Sequence, residues 1–193
     1  MKDVSFSQSL LLRTHMKRAM SVVIAMSLAV GASACLAQAQ LSAQFFGVST
    51  VSVSDGEHTV MTDGFFSRPD YLRLVLGVSP NESRINRALA AGKITSLDAL
   101  LVVHSHHDHA MDAGVVAKKT GAIVIGTRSV ANIAVGSGLP ANRTKTVVGG
   151  ETIELGKFKV HIISSPHSAK PVFPGEITSP LKTPSGIVKY KEG

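Results

Sequence analysis

A chain of 193 residues with 44% hydrophobic and 5% aromatic residues fits one ordinary globular domain and shows no repeat or low-complexity tract. Its one cysteine, Cys35, excludes an internal disulfide and a cysteine-based metal site. The formal net charge of +7 is spread over single basic residues and pairs such as Lys118-Lys119, which is not the basic face of a nucleic-acid binder.

At the N-terminus, Lys17 and Arg18 precede an apolar run over residues 19–30 and then small residues, the pattern of an export signal. The run is about twelve residues against the ~20 needed to cross a bilayer, so no membrane span is expected. Met16 is an alternative start that leaves a shorter basic region. Ala37-Gln38-Ala39 has the small-x-small form of a cleavage site and gives a mature N-terminus at Gln40. Ala32-Ser33-Ala34-Cys35 competes with it as a lipoprotein site, which would make Cys35 a lipid anchor. The leader carries +3 of the charge and leaves +4, compatible with plain solubility or with an anionic small-molecule substrate. The expected organisation is a signal peptide over 1–39 and a domain over 40–193, exported to the periplasm or secreted.

Residues 45–53 partly alternate, Asp55-Gly56 supplies a turn, and residues 58–61 resume the strand pattern, so a β-hairpin opens the domain. Residues 65–80 contain two prolines and give no clear element. Ser83 is a candidate N-cap for a helix over 84–91, with Ile85 and Leu89 on one face and Gly92 as its stop. Residues 97–103 form an apolar run of strand length, 111–119 read as a helix closed by Thr120-Gly121, and 122–125 read as another buried strand. Thr127 or Ser129 can cap the next helix. This order indicates βαβ units, a sheet covered by helices. Residues 144–148, 151–155 and 157–164 look like a β-meander, and 169–193, with four prolines and few apolar anchors, like a long loop.

The chemistry concentrates in His104-Ser105-His106-His107-Asp108-His109, where four imidazoles and a carboxylate follow an apolar strand. A strand end fixes the backbone while the turn after it lets several side chains converge on one point, as a metal site requires. Imidazole and carboxylate without thiolate suit Zn²⁺, Fe²⁺ or Mn²⁺ and do not select among them; Zn²⁺ is the ion expected. A catalytic metal keeps a position open for water, whose pKa it lowers to about 7.

The spacing His104-x-His106-x-Asp108-His109, after a strand and before a helix, resembles the metal-binding signature of the metallo-β-lactamase superfamily. Ser164-Ser165-Pro166-His167 resembles the family's next motif, and Asp63-Gly64 its acidic strand end. The resemblance runs over about residues 44–193. It implies an α/β fold, an αββα sandwich of the metallo-β-lactamase type, of which this chain supplies the N-terminal half to two-thirds. It also implies one metal on His104, His106 and His167 and a second on Asp108 and His109, with Asp108 alternatively orienting the attacking water. The segment Asp63-Gly64-Phe65-Phe66-Ser67-Arg68-Pro69 and the proline-rich tail look most like the lactonase-like branch that includes ascorbate-6-phosphate lactonase.

Other residues have plainer readings. His107 falls at a variable position of the motif and is expected not to ligate, His58 and His161 are read as structural or solvent-facing, and Asp112 as favouring its helix start through the dipole. After His167 there is neither Asp nor His, whereas the family carries a bridging aspartate and a last histidine further on. A truncated product is therefore expected, with an exposed inner sheet face that invites self-association. The function expected is a metal-dependent hydrolase acting on an ester, lactone, amide or phosphodiester of a small molecule. The alternative is an exported metal-binding protein without catalysis; a nuclease is disfavoured by the leader and the scattered charge.

Overall fold

The computed structural model describes residues 41–167 and 172–193. The expected leader, its two cleavage sites and Cys35 lie outside the described residues. Three antiparallel strands come first: β1 (Ser42–Gly47), β2 (Thr50–Ser54) and β3 (Thr59–Thr62). The single strand expected over 45–53 is therefore two. Gly47 and Val48 take φ of 96° and 55°, and the chain reverses there. The Asp55 turn forms as expected, its Oδ1 accepting from the backbone N–H of Glu57 at 2.9 Å and of His58 at 2.7 Å.

The sheet then continues in parallel through β4 (Ala99–Leu101), β5 (Ile123–Gly126) and β6 (Thr144–Thr146), in the order β1-β2-β3-β4-β5-β6. The strand β6 was expected in a meander; it pairs with β5 in parallel, and only β7 (Thr152–Leu155) and β8 (Phe158–His161) form a separate antiparallel hairpin. Helices link the parallel strands: α1 (Tyr71–Leu76), α2 (Glu82–Ala91), α3 (His107–Ala110), α4 (Ala113–Thr120) and α5 (Arg128–Gly136). Sequence reading gave no element for α1, which Asp70 caps and which buries none of its side chains. Asn81 rather than Ser83 caps α2, accepting from the N–H of Arg84 at 3.0 Å. The helix expected over 111–119 is α4, which starts at Ala113, after the separate turn of α3, and ends on Gly121 at φ 83°, a left-handed cap.

Alternation along each strand separates two faces. Met61, Leu100 and Val124 join a core with Ile85 and Leu89 of α2, Val116 of α4 and Ile133 of α5. Val60, Ala99 and Ile125 point the other way and cluster with Val147, Ile153 and the hairpin side chains Phe158 and Val160. Burial on both faces explains why these strands read as unbroken apolar runs, and each large aliphatic side chain so buried contributes about 1.5–3 kcal/mol. The result is a mixed α/β fold with helices against one face of a central sheet and the β7–β8 hairpin against the other.

The proline-rich segment is a loop, as expected, but better anchored than its composition implies. Ile177 and Tyr190 are buried in the main core, with Leu181 and Ile187 packed against it. Asn132 of α5 donates to the Ile177 carbonyl at 2.6 Å, and the Ile177 N–H donates to Ser129 Oγ at 2.9 Å.

Candidate metal centre

The site lies where β3 and β4, parallel neighbours, end side by side. Past β4 the N–H of Val102 still donates to the Ile125 carbonyl at 2.9 Å, and the chain then turns through His104 and Ser105 into the single helical turn of α3. That turn is held by burial of Ala110 and Met111, both fully inaccessible. At the end of β3, Asp63 is fully buried with φ 52°. Its Oδ1 accepts from the N–H of Val103 at 3.0 Å and its Oδ2 lies 2.8 Å from His109 Nδ1. One carboxylate thus pins the start of the histidine loop and orients the ring at its end.

His104 Nε2 and His106 Nδ1 lie 3.0 Å apart. The His167 ring centroid is 4.7 Å from that of His104 and 4.8 Å from that of His106. One nitrogen from each of the three falls within 4.8 Å of the other two. Nitrogens on a tetrahedral ion at Zn–N distances of 2.0–2.1 Å stand about 3.3 Å apart, so the triad needs only small side-chain shifts to fit. The His106 ring is committed to this arrangement: its Nε2 donates to the Val172 carbonyl at 2.7 Å, leaving Nδ1 as the acceptor that faces His104. Among the described residues, this is the one group of three or more candidate donors close enough to share an ion.

His109 packs on the His104 ring at 4.1 Å between centroids. With Nδ1 engaged by Asp63, and by Ser49 Oγ at 3.1 Å, its Nε2 points toward Asp108, whose Oδ2 is 3.8 Å away. The Asp108 side chain is 45% exposed and close also to His107 Nδ1, at 3.8 Å. The structure therefore sets Asp108 and His109 beside the triad as a pair rather than within it. His107 turns away from the triad, its ring 6.3 Å from those of Phe65 and Tyr190. His58 sits beside Asp98 at 3.3 Å, and His161 bonds Thr152 across the hairpin at 2.8 Å.

The charges follow from these surroundings. Burial, and then the neighbouring imidazoles of His109, His106 and His167, hold His104 down to about 4, so it is a neutral donor at pH 7. Burial acts on His109 in the same sense, but the hydrogen bond and charge of Asp63, aided by Asp108, outweigh it and raise the pKa. Burial lowers His107.

Asp112 stands at the start of α4, as expected, and its carboxylate also binds another segment. It makes no capping bond to α4 and is buried, and it accepts from the N–H of Phe66 at 2.8 Å, the N–H of Ser67 at 2.6 Å and Ser67 Oγ at 2.6 Å. It ties the segment after Asp63 to the base of the histidine loop. Sequence reasoning also passed over Ser105, whose hydroxyl donates to the Lys191 carbonyl at 2.5 Å and whose N–H donates to the Glu192 carbonyl at 3.2 Å. It missed Ser49 and the Val172 carbonyl too. No local pattern marks these groups, because each acts across 60 or more residues of chain.

No protein-family profile matches the chain. Among curated proteins, it is similar to a UPF0173 metal-dependent hydrolase of Methylobacterium nodulans, 30% identical over 149 residues, which are 77% of this chain and 57% of that protein. A UPF0173 metal-dependent hydrolase of Pyrobaculum calidifontis is 29% identical over 148 residues, 76% of this chain and 59% of that one. One of Methanopyrus kandleri is 37% identical over 97 residues, 50% and 41% respectively. The chain spans less than two thirds of the length of these relatives. Among solved structures, the metallo-β-lactamase SMB-1 aligns with a TM-score of 0.43 at 20% identity, covering 59% of this chain and 45% of that one. Igni18, a metallo hydrolase from Ignicoccus hospitalis, aligns with a TM-score of 0.42 at 19% identity, covering 60% and 42%. The chain, with its His104-x-His106-x-Asp108-His109 loop at a strand end, is thus similar over the part it spans to proteins named metal-dependent hydrolases.

Proposed function

We propose that the chain carries the metal centre of a metal-dependent hydrolase acting on an ester, lactone, amide or phosphodiester of a small molecule. The observation that carries this reading is the convergence of His104, His106 and His167 beside a histidine that a buried carboxylate orients. His104, His106 and His167 would hold the first ion, Zn²⁺ in our reading, with Mn²⁺ or Fe²⁺ equally suited to the donors, and Asp108 with His109 would contribute to a second. A divalent ion held there supplies Lewis acidity and makes water a nucleophile near neutral pH.

The protein's own part is preparation. The neutral His104 presents a lone pair without first losing a proton, and the Val172 carbonyl fixes which His106 nitrogen faces the site. Asp63 takes the Nδ1 proton of His109 in a hydrogen bond and so leaves Nε2 facing Asp108. Asp108, the one carboxylate at the mouth that is substantially exposed, is the group we assign to orient the attacking water.

The test is elemental analysis and turnover on chelator-stripped protein reloaded with Zn²⁺ or Mn²⁺. Generic ester or lactone hydrolysis that returns with metal would support the enzyme, and metal content lost in His104→Ala and His106→Ala but kept in His107→Ala is the outcome expected. Equal loss in all three variants would reduce the loop to an unspecific histidine tract. Metal binding without turnover would leave an exported metal-binding protein. Among the described residues no helix is long and apolar enough to cross a membrane. We propose export, with a mature N-terminus at Gln40 or a lipidated Cys35, which mass spectrometry of the mature protein distinguishes; an intact Met1 or Met16 would overturn it.

A further inference from the structure

Away from the histidines, Phe46, Phe66, Arg68, Arg84, Arg87 and Ala88 line a recess of about 390 Å³. Three guanidinium groups meet there with no carboxylate in the lining. Among the described residues, the acidic partners of the ion pairs lie elsewhere: Glu82 pairs with Lys119, Glu57 with Lys157 and Glu154 with Lys159. Like charges brought together without a counter-charge cost free energy, which an anionic ligand would offset.

The recess is built rather than incidental. Arg84 Nη1 donates to the carbonyls of Ser67 and Arg68, each at 2.6 Å, and Arg68 Nη2 donates to the Phe46 carbonyl. These bonds use one nitrogen of each guanidinium, and the fork of five N–H donors leaves Nε and the second Nη to face a ligand. Arg87 is held more lightly, Nη1 donating to Ser83 Oγ at 2.7 Å. Arg68 itself sits at φ 40°, a left-handed backbone that costs a side-chain-bearing residue of the order of 1 kcal/mol and that the two Arg84 bonds hold in place. A Cβ at Gly47 would run into the Arg68 guanidinium, and one at Gly92 into the Phe46 ring, so both glycines make room for the lining. Phe46 and Phe66 meet edge to face, centroids 5.7 Å apart, and give the recess an apolar wall.

The geometry points to a second ligand site, a recess that takes a phosphate group carried on an apolar or aromatic body. The phosphate lies against Arg68, Arg84 and Arg87, whose planar forks match its oxygens and whose combined charge suits a dianion. The body rests on Phe46 and Phe66. None of the metal-centre histidines lines the recess, so the phosphate needs no contact with the metal ligands.

The test is calorimetric titration of the chelator-stripped full chain with phenyl phosphate and with inorganic phosphate at fixed ionic strength. One phenyl phosphate per chain is expected, bound severalfold more tightly than inorganic phosphate. Arg87→Gln, which removes no bond that holds the backbone, should weaken it at least tenfold while the melting temperature stays put. Arg128→Gln, a surface change on α5, and His104→Ala should both bind as wild type. The proposal is overturned if binding does not saturate, if Arg87→Gln binds as wild type, or if His104→Ala abolishes binding, which would put the phosphate at the histidines.

Discussion

Asp63 decides what His109 can do. The carboxylate is out of contact with solvent and both of its oxygens are engaged, one by the Val103 N–H and one by the His109 ring. Replacing it with Asn keeps the shape and removes the charge. Burial of His109 would then be opposed only by Asp108, so the His109 pKa in metal-free protein should fall, read as a shift of its ring resonances in an NMR titration. The sign carries over to stability: the raised pKa stabilises fully below the unfolded value near 6.5 and is lost as pH rises through the folded one, so Asp63→Asn should destabilise more at pH 6 than at pH 9. An unchanged titration would remove Asp63 from the account. Tyr190 makes a contrasting case, because it is fully buried and its hydroxyl has no hydrogen-bond partner among the described residues. Tyr190→Phe should cost less than about 1 kcal/mol in a urea melt, or stabilise, whereas Tyr190→Leu should cost about 2–4 kcal/mol through the cavity it leaves.

Among the elements, the segment from Asp63 to Arg68 matters most, since it reaches both the metal centre and the arginine recess and is tied at its middle to α4's N-terminal flank. Asp112→Ala would leave the N–H groups of Phe66 and Ser67 and the Ser67 hydroxyl without their acceptor. A loss of about 3 kcal/mol is expected by chemical denaturation, and a loss under 1 kcal/mol would mean that water replaces the carboxylate. Which elements could be read from sequence follows from the same physics. The strands β4 and β5 were legible because burial on both faces writes an unbroken apolar run, and the metal loop because its residue types have few other uses together. The division into β1 and β2 was not, since Val48 at φ 55° is no turn-former by type. Helix α1 was hidden because six mostly apolar residues with no buried face show no period. The place of β6 was hidden because pairing with β5 is a property of the fold and leaves no mark in three residues. The anchors Ile177 and Tyr190 lie in irregular chain, where burial follows no period at all.

At the scale of the molecule, the centre couples protonation to folding. His104 takes a proton only near pH 4 when folded and near 6.5 when unfolded, so between these values the unfolded chain holds the extra proton and stability rises with pH. The melting temperature of metal-free protein should therefore drop as pH falls from 6.5 to 4, and less steeply in His104→Gln; parallel curves would refute the assignment. A bound ion adds to this through linkage, and free metal at a hundred times its Kd should raise stability by about 2.7 kcal/mol.

The hold of Lys191 and Glu192 on Ser105 also sets an order of events in time. That contact closes a loop of more than eighty residues, and the carbonyl that fixes His106 belongs to the same returning segment. Contacts so distant along the chain form late, after the local helices and the β1–β2 turn have settled. Newly folded chains should thus regain helical signal before they can capture metal. The ion, once bound, would then act as a clasp on a part of the site that is completed last.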